Sequence, residues 1–249
     1  MLSEVQDCAC VLYQNTHRRW LRAELSSSLM SRPVLEVVRL GLVPFAEAMQ
    51  VQRSRVDQLK TRPGSAWTLL LCEHQPVYTV GLRSSLYSDQ DLDQLRTTGA
   101  QVHRTDRGGL ITFHGPGQLV CYPIMHLGRL NKGIRLFVSS LELSVLDVCR
   151  HFGLKAETSP HTGVWVGDNK ICAMGVHCSR RVTSHGLALN CDVDLSWFQN
   201  IVPCGLRDRG VTSLSQETQR TITVGDSVQP LVQAIGRQFN CDVIDQSRN

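Results

Sequence analysis

The chain has 249 residues, 42% of them apolar, with a net charge of +4 and a pI near 8.6. This length accommodates one large domain or two small ones, and the apolar content excludes a chain disordered throughout. The charge is too slight to indicate nucleic acid, and no apolar run reaches the roughly 20 residues that cross a bilayer, so neither a nucleic-acid nor a membrane partner is expected.

Residues 1–33 stand apart from the rest. His17, Arg18, Arg19, Arg22 and Arg32 mix with Ser26, Ser27, Ser28 and Ser31, as in a mitochondrial presequence, whereas Glu4, Asp7 and Glu24 count against one. An alternative or poorly ordered N-terminus is the other reading, and the composition leaves both open. The folded domain is expected over 34–249. Val34–Leu40 reads as a strand. Pro44 suits the first turn of a helix, and Phe45, Met49, Val56 and Leu59 give that helix an apolar stripe to about Lys60. Trp67–Cys72 and Val77–Val80 read as strands, and Asp89–Thr98 as a polar helix closed by Gly99. Val102–Thr105 leads into a glycine-rich segment, 107–118, and Leu119–Ile124 is the strand that leaves it.

The clearest helical pattern covers 134–152, with Phe137, Leu141, Val145, Val148 and Phe152 on one face and Gly153 as its C-terminal cap. Gly163–Val166 and Ile171–His177 flank Gly167-Asp168-Asn169 as a hairpin. Gly186–Val193 reads as a strand and Leu195–Ile201 as a short helix, while Val228, Leu231, Val232, Ile235 and Phe239 mark a last helix. No internal repeat or low-complexity linker divides 34–249. Strands and helices are mixed without strict alternation, which predicts one α+β domain rather than a doubly wound sheet.

Chemistry is concentrated first in Arg107-Gly108-Gly109-Leu110-Ile111-Thr112-Phe113-His114-Gly115-Pro116-Gly117-Gln118. Four glycines and a proline let the backbone bend and approach a ligand closely, while a cation, a hydroxyl, a ring and an imidazole sit at fixed offsets. Neither common phosphate-loop pattern is present. A plain turn or bulge explains the glycines equally well at this level.

Ten cysteines occur without a single C-x-x-C, which disfavours a zinc ribbon. Most lie in apolar segments, as buried thiols do in a reducing compartment. Cys204, between Pro203 and Gly205, differs and is the nucleophile candidate, with a small residue in a turn as the ordinary alternative. A free thiol titrates near ~8.5 and needs a cation, a helix N-terminus or a base to become a thiolate. Lys170, at the start of the strand Ile171-Cys172-Ala173-Met174-Gly175, is the candidate activator; a solvated turn lysine is the competing reading. Ala173 and Gly175 leave space for a ligand chain, and along Ser184-His185-Gly186-Leu187-Ala188-Leu189-Asn190 the small Gly186 and Ala188 share one strand face while Leu187 and Leu189 point to the other. His114 or His185 could serve as a base, although a lone histidine is more often structural. The basic clusters Arg129/Lys132/Arg135, Arg180/Arg181 and Arg207/Arg209 are solvated faces or landing sites for an acidic partner.

Taken in order, R-G-G-L-I-T-F-H-G-P-G-Q, G-V-W-V-G-D-N-K-I-C-A-M-G, S-H-G-L-A-L-N and P-C-G resemble the lipoyl(octanoyl) transferase family, its eukaryotic mitochondrial members above all. The resemblance covers about 34–240. It implies transfer of octanoyl from acyl carrier protein to a lysine on a lipoyl-accepting domain of 2-oxo acid dehydrogenases or of the glycine cleavage H protein, in the mitochondrion, with no cofactor. By motif, Cys204 matches the cysteine that becomes the acyl thioester and Lys170 the lysine that lowers its pKa. Arg107, Gly108, Gly109, Leu110, Ile111, Thr112, Phe113 and His114, with Ala173, Met174, Gly175, Gly186, Leu187 and Ala188, match segments lining the acyl pocket. Phe113 stands where many members have tyrosine, and Cys172 is a small apolar variation. The implied fold is that of biotin and lipoate ligase catalytic domains, a central, mostly antiparallel or mixed β-sheet flanked by helices. Two rivals use the same residues: an ATP-dependent ligase, which would not need Cys204, and a non-catalytic acyl- or lipoyl-domain-binding protein.

Overall fold

Runs such as Trp67-Thr68-Leu69-Leu70-Leu71-Cys72 have no polar face, and a strand of that kind must be covered on both sides. A computed structural model describes residues 32–83, 87–201 and 209–245, and residues 34–249 make one compact unit. Its elements are β1 (Val34–Val43), α1 (Phe45–Thr61), β2 (Trp67–His74), β3 (Val77–Val80), α2 (Asp89–Arg96), β4 (Gln101–Arg104), β5 (Ile111–His114), β6 (Gln118–Ile124), α3 (Leu127–Leu130), α4 (Ile134–His151), β7 (Glu157–Thr158), β8 (Val164–Val166), β9 (Asn169–Ser179) and β10 (Val182–Asn190). A 3-10 turn (Leu195–Asn200), β11 (Gly210–Val211), α5 (Leu214–Thr218), α6 (Val224–Gln238) and β12 (Asp242–Asp245) follow.

The large sheet runs β12-β1-β2-β6-β10-β9-β8-β7, with β11 added beside β9, and a small sheet runs β4-β3-β5. Pairing is parallel for β12-β1, β1-β2 and β11-β9 and antiparallel from β2 to β7, the mixed sheet flanked by helices that was expected. Alternation divides each central strand between two cores. Leu69, Leu71, Leu119, Cys121, Leu187 and Leu189 pack with Phe137, Leu141 and Val145 of α4 and Leu231 and Ile235 of α6. Leu70, Cys72, Val120, Tyr122 and Ala188 face Phe45, Ala48 and Met49 of α1. The small sheet has its own core, where Tyr78, Ile111 and Phe113 meet Leu92, Leu95 and Phe198.

Three expectations are corrected. The glycine-rich segment is not wholly a loop: Ile111–His114 forms β5, antiparallel to β3. The strand expected over 186–193 lies at Val182–Asn190, because the hairpin turn at Arg180 and Arg181, both at positive φ, starts it earlier and Cys191 and Asp192 turn back to bond Gly117 O. The terminal strand β12 was not anticipated; it pairs in parallel with β1.

Gly186 shows why a small residue is needed at the centre. A Cβ there would run into the carbonyl oxygen of Cys121 on β6 and lie 2.5 Å from Pro123 Cδ. Gly186→Ala is expected to cost about 1–3 kcal/mol, because backbone rather than a movable side chain must give way. A lowered urea midpoint with an unchanged m-value checks this.

Candidate active site

The large and small sheets leave a narrow apolar cavity between them, part of it open to solvent. The large sheet supplies Val120, Tyr122, Ala173, Met174, Gly175, Gly186, Leu187 and Ala188; the small sheet and its approach supply Thr79, Thr105, Arg107, Gly109, Leu110, Ile111, Thr112 and His114. Register brings the separate motifs together, since Gly186 pairs with Gly175 and Ala188 with Ala173. The sequence-predicted pocket residues therefore line this space, apart from two. Phe113 packs into the core of the small sheet instead; it is fully buried and stacks on Trp197 at 5.0 Å with a 6° interplanar angle. Gly108 sits outside the wall, its N–H donating to Val176 O at 3.2 Å. That bond also removes one backbone donor that could have faced an oxyanion.

Phe45, Thr79, Val120 and Tyr122 line the cavity too, although no motif marked them. Each is an ordinary apolar or β-branched residue whose sequence signal was its helix or strand. Only the packing of α1 and β3 against β6 reveals their second role.

Arg107 anchors the glycine-rich turn and is nearly buried. Its Nη2 donates to Thr79 O at 2.6 Å and Oγ1 at 3.0 Å, and its Nη1 to Gly108 O at 3.0 Å. Gly109 follows at φ +95°, a conformation glycine adopts without steric cost. From Thr79 a buried polar chain runs across the site. Gln118 Nε2 donates to Phe113 O at 3.2 Å and Asn190 Oδ1 at 2.9 Å, so its Oε1 faces His114 Nδ1 at 2.7 Å. His114 therefore carries its proton on Nδ1, and Nε2 accepts from the Thr79 hydroxyl at 3.2 Å. Asn190 Nδ2 ends the chain on Thr212 O at 2.8 Å. Burial, reinforced by His74 and Arg107 nearby, drives the His114 pKa down to about 3. It is a neutral link that fixes Gln118 and Thr79 at physiological pH.

His74 is held likewise. Its Nδ1–H donates to Val43 O at 3.2 Å and its Nε2 accepts from Tyr122 Oη at 2.8 Å, while burial lowers its pKa to about 4. Both histidines are neutral when folded and take up protons in the unfolded chain below about pH 6.5. Their depressed folded pKa values thus contribute stability present above pH 6.5 and lost as pH falls toward 4. Each contributes a slope of about 1.4 kcal/mol per pH unit in that window. Urea midpoints measured between pH 7 and 4.5 are expected to fall steeply, and His74→Gln is expected to flatten the slope by about half.

His185 also lines the cavity. It is buried at φ +54° within β10, a conformation that costs a non-glycine residue about 1–3 kcal/mol. Its N–H donates to Gln52 Oε1 at 3.2 Å and its Nε2–H to Asp106 Oδ1 at 2.7 Å. Burial outweighs that carboxylate and lowers the His185 pKa.

Lys170 opens β9 and is buried, with Nζ 3.2 Å from Thr162 O and 4.6 Å from the Trp165 ring centroid. Gly163 leaves room for its stem, since a Cβ there would lie 3.2 Å from Lys170 Cε. Val211 pairs with Lys170, Thr212 N donates to Lys170 O at 3.0 Å, and the Arg209 guanidinium lies 5.0 Å from the same Trp165 ring. Lys170 thus occupies the end of β9 beside residues 209–212, and Ala173 to Gly175 extend from it along the cavity.

The proposed nucleophile, Cys204, lies with Gly205 and Arg207 outside the described residues. Seven other cysteines are described and free. Burial pushes the thiols of Cys72, Cys149 and Cys191 up to about 12, and those of Cys121 and Cys172 well upward, with Cys178 raised too. These six stay protonated near neutrality and are poor nucleophiles. Among the described residues, no group of three or more His, Cys, Asp or Glu is placed to hold a metal ion. Of the basic clusters, Arg129 is committed to Pro63 O and Ser65 O, and Lys132 to Ser140 Oγ.

Residues 44–236 match the lipoyl protein ligase A/B catalytic domain family. The mitochondrial octanoyl-[acyl-carrier-protein]:protein N-octanoyltransferase LIPT2 of Xenopus tropicalis is 57% identical over 82% of this chain and 87% of its own. The Danio rerio protein of that name is 52% identical over 85% of this chain and 95% of its own, and the Homo sapiens one 47% identical over 87% and 98%. Among solved structures, lipoate-protein ligase A bound with ATP superposes with a TM-score of 0.64 at 15% identity, over 87% of this chain and 90% of that one. The bipartite lipoate protein ligase of Thermoplasma acidophilum, described with its E2 lipoyl domain, gives 0.65 at 16%, over 87% of each. These structural likenesses extend to the fold.

Proposed function

The chain belongs to the lipoyl protein ligase A/B catalytic domain family and, within it, to the octanoyltransferases, and on that premise we propose that Cys204, Lys170 and the cavity between the two sheets carry the transfer. The protein is an octanoyl-[acyl-carrier-protein]:protein N-octanoyltransferase of lipoate biosynthesis in the mitochondrion. Its donor is an acyl carrier protein and its acceptor a protein, and the accepting group we propose is a lysine amine. We propose as its acceptors the lipoyl domains of 2-oxo acid dehydrogenases and the glycine cleavage H protein.

The observation that carries the site assignment is the cavity itself. Its wall is mostly apolar, it is built by the separate 107–114, 173–175 and 186–188 segments, and it lies along the strand that Lys170 opens. Six buried methylenes of an octanoyl chain contribute about 5 kcal/mol, at about 0.8 each, which is enough to hold the chain without a specific polar contact.

In the first half-reaction the Cys204 thiolate attacks the carbonyl of the carrier thioester. The tetrahedral oxyanion collapses, the carbon–sulfur bond to the carrier breaks, and the departing thiolate takes up a proton. The octanoyl group now rests on Cys204, and because one thioester replaces another no ATP is consumed. In the second half-reaction the neutral amine of the acceptor lysine attacks, the amide forms, the Cys204 thiolate leaves, and the amine's surplus proton is released to base. The Lys170 ammonium stabilises the thiolate in both halves.

Intact-mass measurement after mixing with octanoyl-acyl carrier protein tests this reading. One octanoyl adduct is expected, discharged on adding a lipoyl domain. A protein that binds the carrier and gains no mass would overturn it.

A further inference from the structure

We infer that Phe45, Thr105 and His185 form the stop that sets acyl chain length, an inference that rests on the cavity between the sheets being the acyl site. These three residues line that cavity and also line a second, larger groove of about 580 Å³ beside α1. They are the partition between the two spaces. The direction follows β9: with Lys170 at the reacting end, as proposed above, Ala173 to Gly175 line the cavity next along the strand, and His177 and Ser179 already belong to the groove. A chain attached near Lys170 therefore points its terminal methyl at the partition.

The partition is built to stay in place. His185 is anchored through its backbone by Gln52 and through its ring by Asp106, and the T-shaped contact with Tyr122, 6.2 Å between centroids, packs it from the cavity side. Phe45 is buried against the rings of His74 at 5.4 Å and His103 at 5.2 Å. A side chain kept at φ +54°, where glycine would be unstrained, indicates that the imidazole is needed at that point. Beyond it the groove holds Arg53, Lys60, Arg104 and Asp57 but also Met49 and Val56, so the space can take a longer tail once the wall is removed.

The test removes the wall from each side. His185→Gly suits the local φ and deletes the imidazole; Phe45→Val trims the opposite side. Purified octanoyl- and dodecanoyl-acyl carrier protein compete for each variant, and the ratio of kcat/KM for the two chains is read together with the intact mass of the adduct. The wild-type protein is expected to favour octanoyl, and the dodecanoyl-to-octanoyl ratio to rise tenfold or more in either variant. Should His185→Gly fail to fold, Phe45→Val carries the same measurement. A folded variant with the wild-type ratio overturns the stop, as does a wild-type protein that takes both chains equally. A wild-type protein that gains no acyl mass from either carrier instead overturns the acyl-site reading beneath it.

Discussion

Cys204→Ser is expected to abolish the octanoyl adduct and to lower transfer to a lipoyl domain by about a thousandfold or more. Loss of a covalent nucleophile removes the whole pathway rather than one contribution to it. A serine hydroxyl is far less acidic than a thiol, and a nearby ammonium that yields a thiolate does not yield an alkoxide. The buried cysteines offer no substitute, since Cys72, Cys121, Cys149, Cys172 and Cys191 are held protonated by burial. The measurement is single-turnover transfer from octanoyl-acyl carrier protein, followed by mass. Retention of transfer near the wild-type rate would mean that the acyl group never rests on Cys204. If that activity then proved to need ATP and free octanoate, the chain would work as a ligase.

Lys170→Met is expected to slow iodoacetamide alkylation of Cys204 at pH 7 by about tenfold or more, and to lower kcat by about a hundredfold with little change in KM for the carrier. A cation close to a thiol lowers its pKa by roughly 1–3 units, so losing the charge removes most of the thiolate. Methionine keeps the apolar stem that passes Gly163, and the contact with Trp165 survives as a sulfur–aromatic one. The fold should therefore tolerate the change, and a wild-type melting temperature checks that it does. The informative readout is the alkylation rate against pH. In the variant its midpoint moves to higher pH, and Lys170→Arg restores part of the shift. An unmoved profile would show that Lys170 does not act on the thiol.

Much of the fold was legible in the sequence because its main elements carry their own period. The stripe Phe137, Leu141, Val145, Val148 specifies a helix with one buried face, and α4 packs that face into the main core. The doubly apolar runs of β2 and β6 specify central strands for the same reason. What escaped were short elements stabilised by distant partners. β5 has four residues among glycines and depends on pairing with β3, whereas β12 depends on β1, more than two hundred residues away. Neither has a local signal strong enough to outweigh glycine on one side or brevity on the other.

The site divides along the same line. By itself the sequence determined the chemistry available: a cysteine between proline and glycine, a lysine opening a strand of small residues, and glycines where backbones must meet closely. Those demands are local, since they concern the size and reactivity of single residues, and spacing records them. Only the tertiary structure decided that Gly175 and Gly186 face each other, that Phe113 turns into a neighbouring core, and that Phe45 and His185 line the cavity. It also made His114 a neutral hydrogen-bonding link, because its pKa is set by burial and by groups brought near from other strands. Position in a pairing register and removal from water are properties of the assembled sheets, and no single stretch of chain encodes them.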